Sequence, residues 1–193
     1  MIKFLKRLVK KKLVKKNSLC YNYSQGCPHC CLRNTVNKER SVRYMPVNSI
    51  DFATYLNREA RMRDLYVNVT KLQKWLYICY GLHLALNDGA QLLDEMPTAR
   101  EYGPFFPNVH NMQKDLKNNL RTLERRISID DFRQFDDIID ATLRHYGDWT
   151  AQSLVDLTHE PGRAWDKTYQ DGEGRFRTMP NDDILADFKE MLG

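Results

Sequence analysis

The sequence predicts a mainly α-helical, compact domain with a small two-stranded element, preceded by a basic, cysteine-containing N-terminal extension. Apolar residues recur at three- and four-residue steps through most of the chain after residue 46, which is typical of amphipathic helices. Only two short segments, residues 91–93 and 97–102, suggest extended structure. The first part of the chain is strongly basic. We therefore divide the chain into an extension, residues 1–45, and a domain, residues 46–193.

The composition suits one soluble domain with an appendage. Of the 193 residues, 42% are hydrophobic and 28% are charged, which argues against a disordered chain and against a membrane protein. Twelve Lys and Arg accompany one acid before Pro46, whereas eighteen bases and twenty-four acids follow. A basic arm attracts nucleic acid, anionic membranes or acidic partners. The acidic remainder does not favour nucleic-acid binding.

The extension begins with a predicted basic amphipathic helix at residues 1–16, because five apolar residues have helical spacing among lysines: Ile2, Leu5, Leu8, Val9 and Leu13. One interpretation is a surface that makes weak contact with nucleic acid or an anionic membrane. The other is a solvated tail, which we favour because short isolated helices are marginal in water.

The second part of the extension contains a cluster of metal-ligand residue types: Cys20, Cys27, His29, Cys30 and Cys31. Thiolates and imidazole suit zinc, but only Cys27 and Cys30 form a C-x-x-C pair, so we expect no bound metal and no cofactor. The odd, crowded set does not resemble a secreted disulfide framework. Without a signal peptide or a long apolar run, a cytoplasmic protein is expected.

The first two helices of the domain have clear sequence signals. Residues 49–64 show helical spacing behind Ser49 as the predicted N-cap. Residues 70–86 begin with Thr70 and Gln73, which have the spacing of a capping box, and carry an apolar face that includes Trp75 and Cys79. We expect this second helix to be central to the core.

The rest of the domain alternates turns and helices. A turn is predicted at Asn87-Asp88-Gly89, and Gly103 to Pro107 is predicted to be an ordered aromatic loop because it contains two prolines. Helices are then expected from an Asn108 cap to about residue 124, at 131–146, from a Thr150 cap to about residue 159, and at 182–192. A turn-rich loop is predicted at residues 171–174.

No catalytic pattern is visible in the sequence. It contains no G-x-S-x-G, Walker A, G-x-G-x-x-G or H-E-x-x-H motif. Cys79 and His83 lie on the predicted central helix, where a buried structural role is more common than a nucleophile or base. We therefore expect a protein that is not an enzyme.

A series of short segments resembles a known family when the segments are taken together in order. The series comprises Thr70 to Tyr77, Gly81 to Leu84, Leu92 to Glu95, Ala99 to Pro107, Tyr146-Gly147, Thr150-Ala151, Leu154-Val155, Leu157 to His159 and Ala164-Trp165. Over about residues 50 to 190 the chain resembles the Panacea, or SocA-like, antitoxin domain of bacteria and their phages. The resemblance implies a compact helical antitoxin of a type II toxin-antitoxin system, which binds and neutralises a protein toxin encoded beside it.

The resemblance also singles out candidate partner-binding positions: Lys71, Gln73, Tyr102, Gly103, Pro104, His159 and Trp165. Two interpretations stay open. These residues contact the toxin, or they stabilise the fold, with Gln73 capping a helix and His159 and Trp165 attaching a loop to the core; we favour the second. The rival functions are a nucleic-acid-binding phage or prophage regulator that uses the basic arm, and an enzyme of unknown reaction.

Overall fold

The computed structural model describes residues 45–193, except for the side chains of residues 113–121. The predicted helix at residues 1–16 and the cluster from Cys20 to Cys31 lie outside the described residues, so both stay predictions. The division of the chain near residue 45 also stays a prediction. Val47 already belongs to the fold, because it forms a parallel bridge with Leu93.

The predicted fold class is confirmed. The described residues form eight α-helices and one antiparallel sheet of two strands. The helices are α1 (Ser49–Arg61), α2 (Val69–Leu86), α3 (Pro107–Arg126), α4 (Ile129–Phe132), α5 (Asp136–Tyr146), α6 (Ala151–Thr158), α7 (Ala164–Tyr169) and α8 (Asn181–Leu192). The strands β1 (Thr98–Arg100) and β2 (Gly103–Phe105) form a hairpin in which Arg100 lies opposite Gly103. Within the described residues, no helix has the length and hydropathy needed to cross a membrane.

Helix α2 is the centre of the core, as predicted, but it has no exposed face over most of its length. Every residue from Lys71 to Leu84 is buried. The ring of Phe188 in α8 occupies the space that a Cβ atom at Gly81 would need, so the absence of a side chain at Gly81 allows α8 to pack closely. The single apolar face predicted from the sequence is therefore only part of the buried surface of α2.

The predicted N-caps of the first two helices, Ser49 and Thr70, were wrong by one and two residues. Asn48 caps α1, since its Oδ1 accepts hydrogen bonds from the amides of Ile50 and Asp51, both at 3.1 Å. Asn68 caps α2 by accepting from the Lys71 amide at 2.8 Å. In both cases an Asn side chain just upstream reaches the free amides of the first turn.

The other two predicted N-caps had different outcomes. Helix α3 begins at Pro107, which needs no amide partner, instead of following an Asn108 cap. The Thr150 cap of α6 is confirmed, because its Oγ1 accepts from the Ser153 amide at 3.0 Å.

Three further features differ from the predictions. The helix expected at residues 131–146 is divided into α4, a 3₁₀ turn and α5. The six-residue helix α7 was not predicted; its first amide, at Ala164, donates to Asp187 Oδ2 at 2.6 Å. Residues 176–179, for which no element was predicted, run beside β1, with Phe176 N donating to Ala99 O at 2.8 Å. Each of these features depends on partners distant in the sequence.

Candidate functional site

Gln73 connects α2 to the chain that follows the hairpin. Its Oε1 accepts from the Phe106 amide at 2.7 Å, and its Nε2 donates to the Phe106 carbonyl at 3.2 Å. The predicted capping role of Gln73 is therefore wrong, because the oxygen and the nitrogen of its side-chain amide both bond to Phe106, 33 residues along the chain. A buried amide with both groups paired in this way positions the start of α3 against the core.

Lys74 is the most unusual side chain in this region. Only 2% of the residue is exposed, and its Nζ donates to the Pro104 carbonyl at 2.9 Å. No carboxylate forms an ion pair with Lys74 among the described residues, and burial lowers the pKa of its amine to about 7. Sequence reasoning missed this residue; the signal was a lysine inside an otherwise apolar helical segment.

Gly103 lies directly against Lys74 and α6. Its φ is +94°, a left-handed conformation that glycine adopts without strain. A Cβ atom at this position would lie 2.5 Å from Thr158 Oγ1 and 2.7 Å from Lys74 Nζ. Close packing and backbone conformation therefore both require glycine here.

His159, Trp165 and Tyr169 form a stack of three rings beside the hairpin. The ring centroids of His159 and Trp165 are 3.7 Å apart and their planes are nearly parallel. The Tyr169 ring stacks on the Trp165 ring, with centroids 4.6 Å apart. Trp165 Nε1 donates to the Arg100 carbonyl at 2.9 Å, which attaches α7 to β1. His159 Nε2 is buried with no hydrogen-bond partner among the described residues. Burial, and secondarily the nearby Lys74, lower the pKa of His159.

The structure thus brings together five of the seven candidate residues, Gln73, Gly103, Pro104, His159 and Trp165, and adds Lys74. We call these six residues the hairpin junction. Lys71 lies apart from it: its Nζ donates to the Gly147 carbonyl at 2.7 Å and lies 4.8 Å from the centroid of the Trp75 ring. Tyr102, at the hairpin turn, is 66% exposed.

This cluster of internally bonded residues falls within a segment that matches a family model. Residues 72–166 match the family described as antitoxin SocA-like, Panacea domain. It is this part of the chain, residues 72–166, that carries the SocA-like Panacea domain. No curated protein and no solved structure gives a significant match.

The match is narrower than the resemblance predicted, because it ends before α8. Yet α8 packs on the Panacea segment, where the rings of Tyr77 and Phe188 meet edge to face at 5.6 Å. A small open groove of about 90 Å³ lies between α2, α6 and α8, with Arg163 and Asp187 on its wall. The folded unit that contains the matched segment therefore also includes α8.

Cys79 and His83 of the Panacea domain are both buried, as expected. Cys79 Sγ donates to Thr142 Oγ1 at 3.3 Å, and burial raises the pKa of its thiol to about 12, which disfavours a reactive thiolate. His83 Nδ1 lies 2.9 Å from the Ala90 carbonyl. Among the side chains that the structure describes, no group of three or more His, Cys, Asp or Glu residues is placed to hold a metal ion.

A second set of groups lies on the surface of the same hairpin. The Arg100 guanidinium lies 4.0 Å from the centroid of the Phe105 ring and 4.8 Å from that of the Phe176 ring. The Arg175 guanidinium lies 4.9 Å from the Phe176 ring. We call Arg100, Phe105, Arg175 and Phe176 the hairpin surface. None of these four residues was a predicted site residue.

Proposed function

We propose that this chain is an antitoxin of a type II toxin-antitoxin system, and that it neutralises its toxin by direct protein-protein binding without catalysis. The observation that carries this proposal is the match of residues 72–166 to the SocA-like Panacea domain. We further propose that the toxin is encoded by an adjacent gene, that the pair is borne by a phage or prophage, and that both proteins act in the cytoplasm.

The contacts of the hairpin junction support binding over catalysis. Gln73 and Trp165 use their side-chain polar groups in hydrogen bonds to backbone atoms, and Lys74 donates to a carbonyl. Among the described residues, the best nucleophile by residue type is Cys79, which is fully buried and has a raised pKa. Because these side chains are used within the fold, we expect the toxin to be recognised by surface residues.

Growth rescue tests the proposal. The full chain is co-expressed with the product of the adjacent open reading frame, which should be lethal when expressed alone. We expect growth to be restored and the two purified proteins to form a stoichiometric complex in size-exclusion chromatography. A lethal product that never binds the chain would contradict the proposal.

Two variants separate sequestration from chemistry. Cys79→Ser and His159→Gln remove the candidate nucleophile and base, and folded forms of both should retain toxin binding and rescue. A folded variant that binds the toxin with full affinity and no longer rescues growth would show that catalysis or a third component is required.

The second candidate function is a nucleic-acid-binding regulator. The observation that favours it is the concentration of twelve Lys and Arg before Pro46, with one acid. Binding through this arm would weaken steeply with salt, and deletion of residues 1–44 would remove both the affinity and the salt dependence. Toxin binding that survives the same deletion would assign rescue to the domain instead.

A further inference from the structure

The arginines of the hairpin surface differ from most others in the fold because they have no carboxylate partner among the described residues. Six other arginines each pair with an Asp or Glu at 3.5 Å or less: Arg58, Arg61, Arg63, Arg133, Arg144 and Arg163. Arg100 and Arg175 contact aromatic rings instead. Their guanidinium charges are therefore not neutralised within the described part of the chain.

Arg100 has a specific unused hydrogen-bond donor. Its Nε is buried and has no hydrogen-bond partner in the described residues. A buried donor without an acceptor is unfavourable, and contact with two rings restricts the orientation of the guanidinium plane. A planar, oriented guanidinium is suited to hold a carboxylate by two parallel hydrogen bonds from its two terminal Nη atoms, a contact that leaves the buried Nε out.

Phe176 is presented to solvent by an unfavourable backbone conformation. Its ring is 55% exposed, and its φ is +71°, which is rare for a bulky residue. The conformation is held from both sides, since Phe176 N donates to Ala99 O at 2.8 Å and Arg177 N donates to Gly174 O at 3.0 Å. A strained residue with an exposed aromatic ring contributes little to the core, and such strain often marks a functional position.

We propose that the hairpin surface is where the partner toxin docks, and that it receives a segment of the toxin that carries a carboxylate beside an apolar side chain. This inference rests on the proposed antitoxin function. The carboxylate would lie against Arg100 and Arg175, and the apolar side chain would pack on Phe176. Exposed aromatic and arginine side chains are the residue types that dominate protein-protein binding energy.

Charge favours a protein segment over nucleic acid at this surface. The domain, from Pro46 onward, has eighteen bases and twenty-four acids, so its own charge, apart from that of the basic extension, opposes the approach of a phosphate backbone. Glu101 and Glu173 are exposed close in sequence to the two arginines. Two cations among these acids suit a single carboxylate better than a chain of phosphates.

The test measures the affinity of the full chain for the purified product of the adjacent open reading frame. Arg175→Glu should raise Kd by at least about tenfold, because it places a carboxylate against a carboxylate. Arg100→Lys keeps the charge and loses the planar fork, and should also raise Kd by about tenfold. Arg133→Glu is the matched control: it makes the same charge change at an exposed site on another segment, and it should alter Kd by less than about twofold.

Four results would overturn the inference. If Arg175→Glu and Arg100→Lys, both folded by circular dichroism, bind the toxin like the wild type, the docking surface lies elsewhere while the antitoxin function stands. If Arg133→Glu weakens binding as much as Arg175→Glu, the effect is one of net charge. If the variants lose binding to a single-stranded oligonucleotide and keep toxin binding, the surface serves nucleic acid. A wild-type chain that binds no toxin refutes the antitoxin function and this inference together.

A compensating change in the toxin gives the positive result. Replacing each exposed Asp or Glu of the toxin by Lys in turn should identify one variant that binds Arg175→Glu better than it binds the wild-type chain. Such a reversal requires direct contact between the two positions, and a purely structural role of Arg175 would not produce it.

Discussion

The hairpin junction and the hairpin surface are built on the same two short strands, yet they differ in how their polar groups are satisfied. In the junction, Gln73 and Lys74 of α2 bond to backbone atoms of residues 104–106. On the surface, Arg100 and Arg175 contact aromatic rings and have no carboxylate partner in the part of the chain that the structure describes. The difference suggests that one hairpin serves as scaffold through its backbone and as a recognition element through its side chains.

The largest expected effect tests whether α2 is a structural element. Trp75 is fully buried, and its Nε1 donates to the Tyr146 carbonyl at 3.2 Å. Trp75→Ala should lower the free energy of unfolding by about 3–5 kcal/mol through a core cavity, measured by urea denaturation. Tyr102→Ala, at an exposed position, is the control and should cost less than about 0.5 kcal/mol. Similar losses from both variants would contradict the assigned core.

A glycine pair tests the close packing of the hairpin junction. Gly103→Ala should destabilise the protein by about 2–3 kcal/mol, since it combines a left-handed backbone with collisions against Thr158 and Lys74. Gly162→Ala is the matched control, because Gly162 also has a positive φ, +78°, but no atom within 4 Å of the added Cβ. It should cost only about 1 kcal/mol. Equal losses in thermal and urea unfolding would show that the junction tolerates a side chain.

The buried amine of the junction predicts a pH dependence. Burial lowers the pKa of Lys74 from 10.5 to about 7 on folding, so between these values the unfolded chain binds more protons than the folded chain. The free energy of unfolding should therefore rise as pH rises from about 7, by about 2 kcal/mol up to pH 9. Burial raises the pKa of the Cys79 thiol above its ordinary value of 9.0. Above pH 9.0 this thiol therefore makes the free energy of unfolding fall as pH rises.

Urea denaturation at several values between pH 7 and pH 9 measures this effect. Lys74→Met removes the titrating group at similar volume and should abolish the rise. Lys71→Met is the comparison variant; burial also lowers the pKa of Lys71, but Asp148 opposes the shift, so its loss should change the slope less. The lowered pKa of His159 changes the free energy of unfolding only below about pH 6.5, its ordinary value, so it does not contribute to the rise above pH 7. A rise that persists in Lys74→Met would assign it to another group.

The smallest effect on stability is expected at the hairpin surface. Phe176→Gly relieves a left-handed conformation worth roughly 1–2 kcal/mol and loses two exposed cation-π contacts of about 0.5–1 kcal/mol each. The free energy of unfolding should therefore change by less than about 1 kcal/mol, while the affinity for the toxin falls. A large loss of stability would place Phe176 in the scaffold and remove the difference between the two regions.

Local signals in the sequence were sufficient for much of the fold. The apolar periodicity of residues 70–86 predicted the central helix, Asn87-Asp88-Gly89 predicted the turn that follows, and Thr150 predicted the cap of α6. Each of these features is determined by residues a few positions apart, so it can be predicted from a short segment of the sequence. Helix starts were less accurate because several Asn, Ser and Thr residues competed as caps.

The candidate site was predicted only in part, since its members are joined by contacts between distant residues. The sequence singled out Gln73, Gly103 and Trp165, but the resemblance could not specify that Gln73 bonds to Phe106 or that Trp165 bonds to Arg100. Lys74 was missed because its burial depends on the hairpin that covers it. The hairpin surface was missed because the Phe176 ring meets the Arg100 guanidinium across 76 positions of chain.

The sequence by itself determined that this protein is a mainly helical domain with a SocA-like Panacea segment, because periodicity and ordered motifs are local properties of the chain. Only the tertiary structure decided which polar groups are satisfied internally and which remain available. Asp187 bonds to the first amide of α7 from α8, and residues 176–179 lie beside β1, so the partners of these groups exist only once distant segments have packed together.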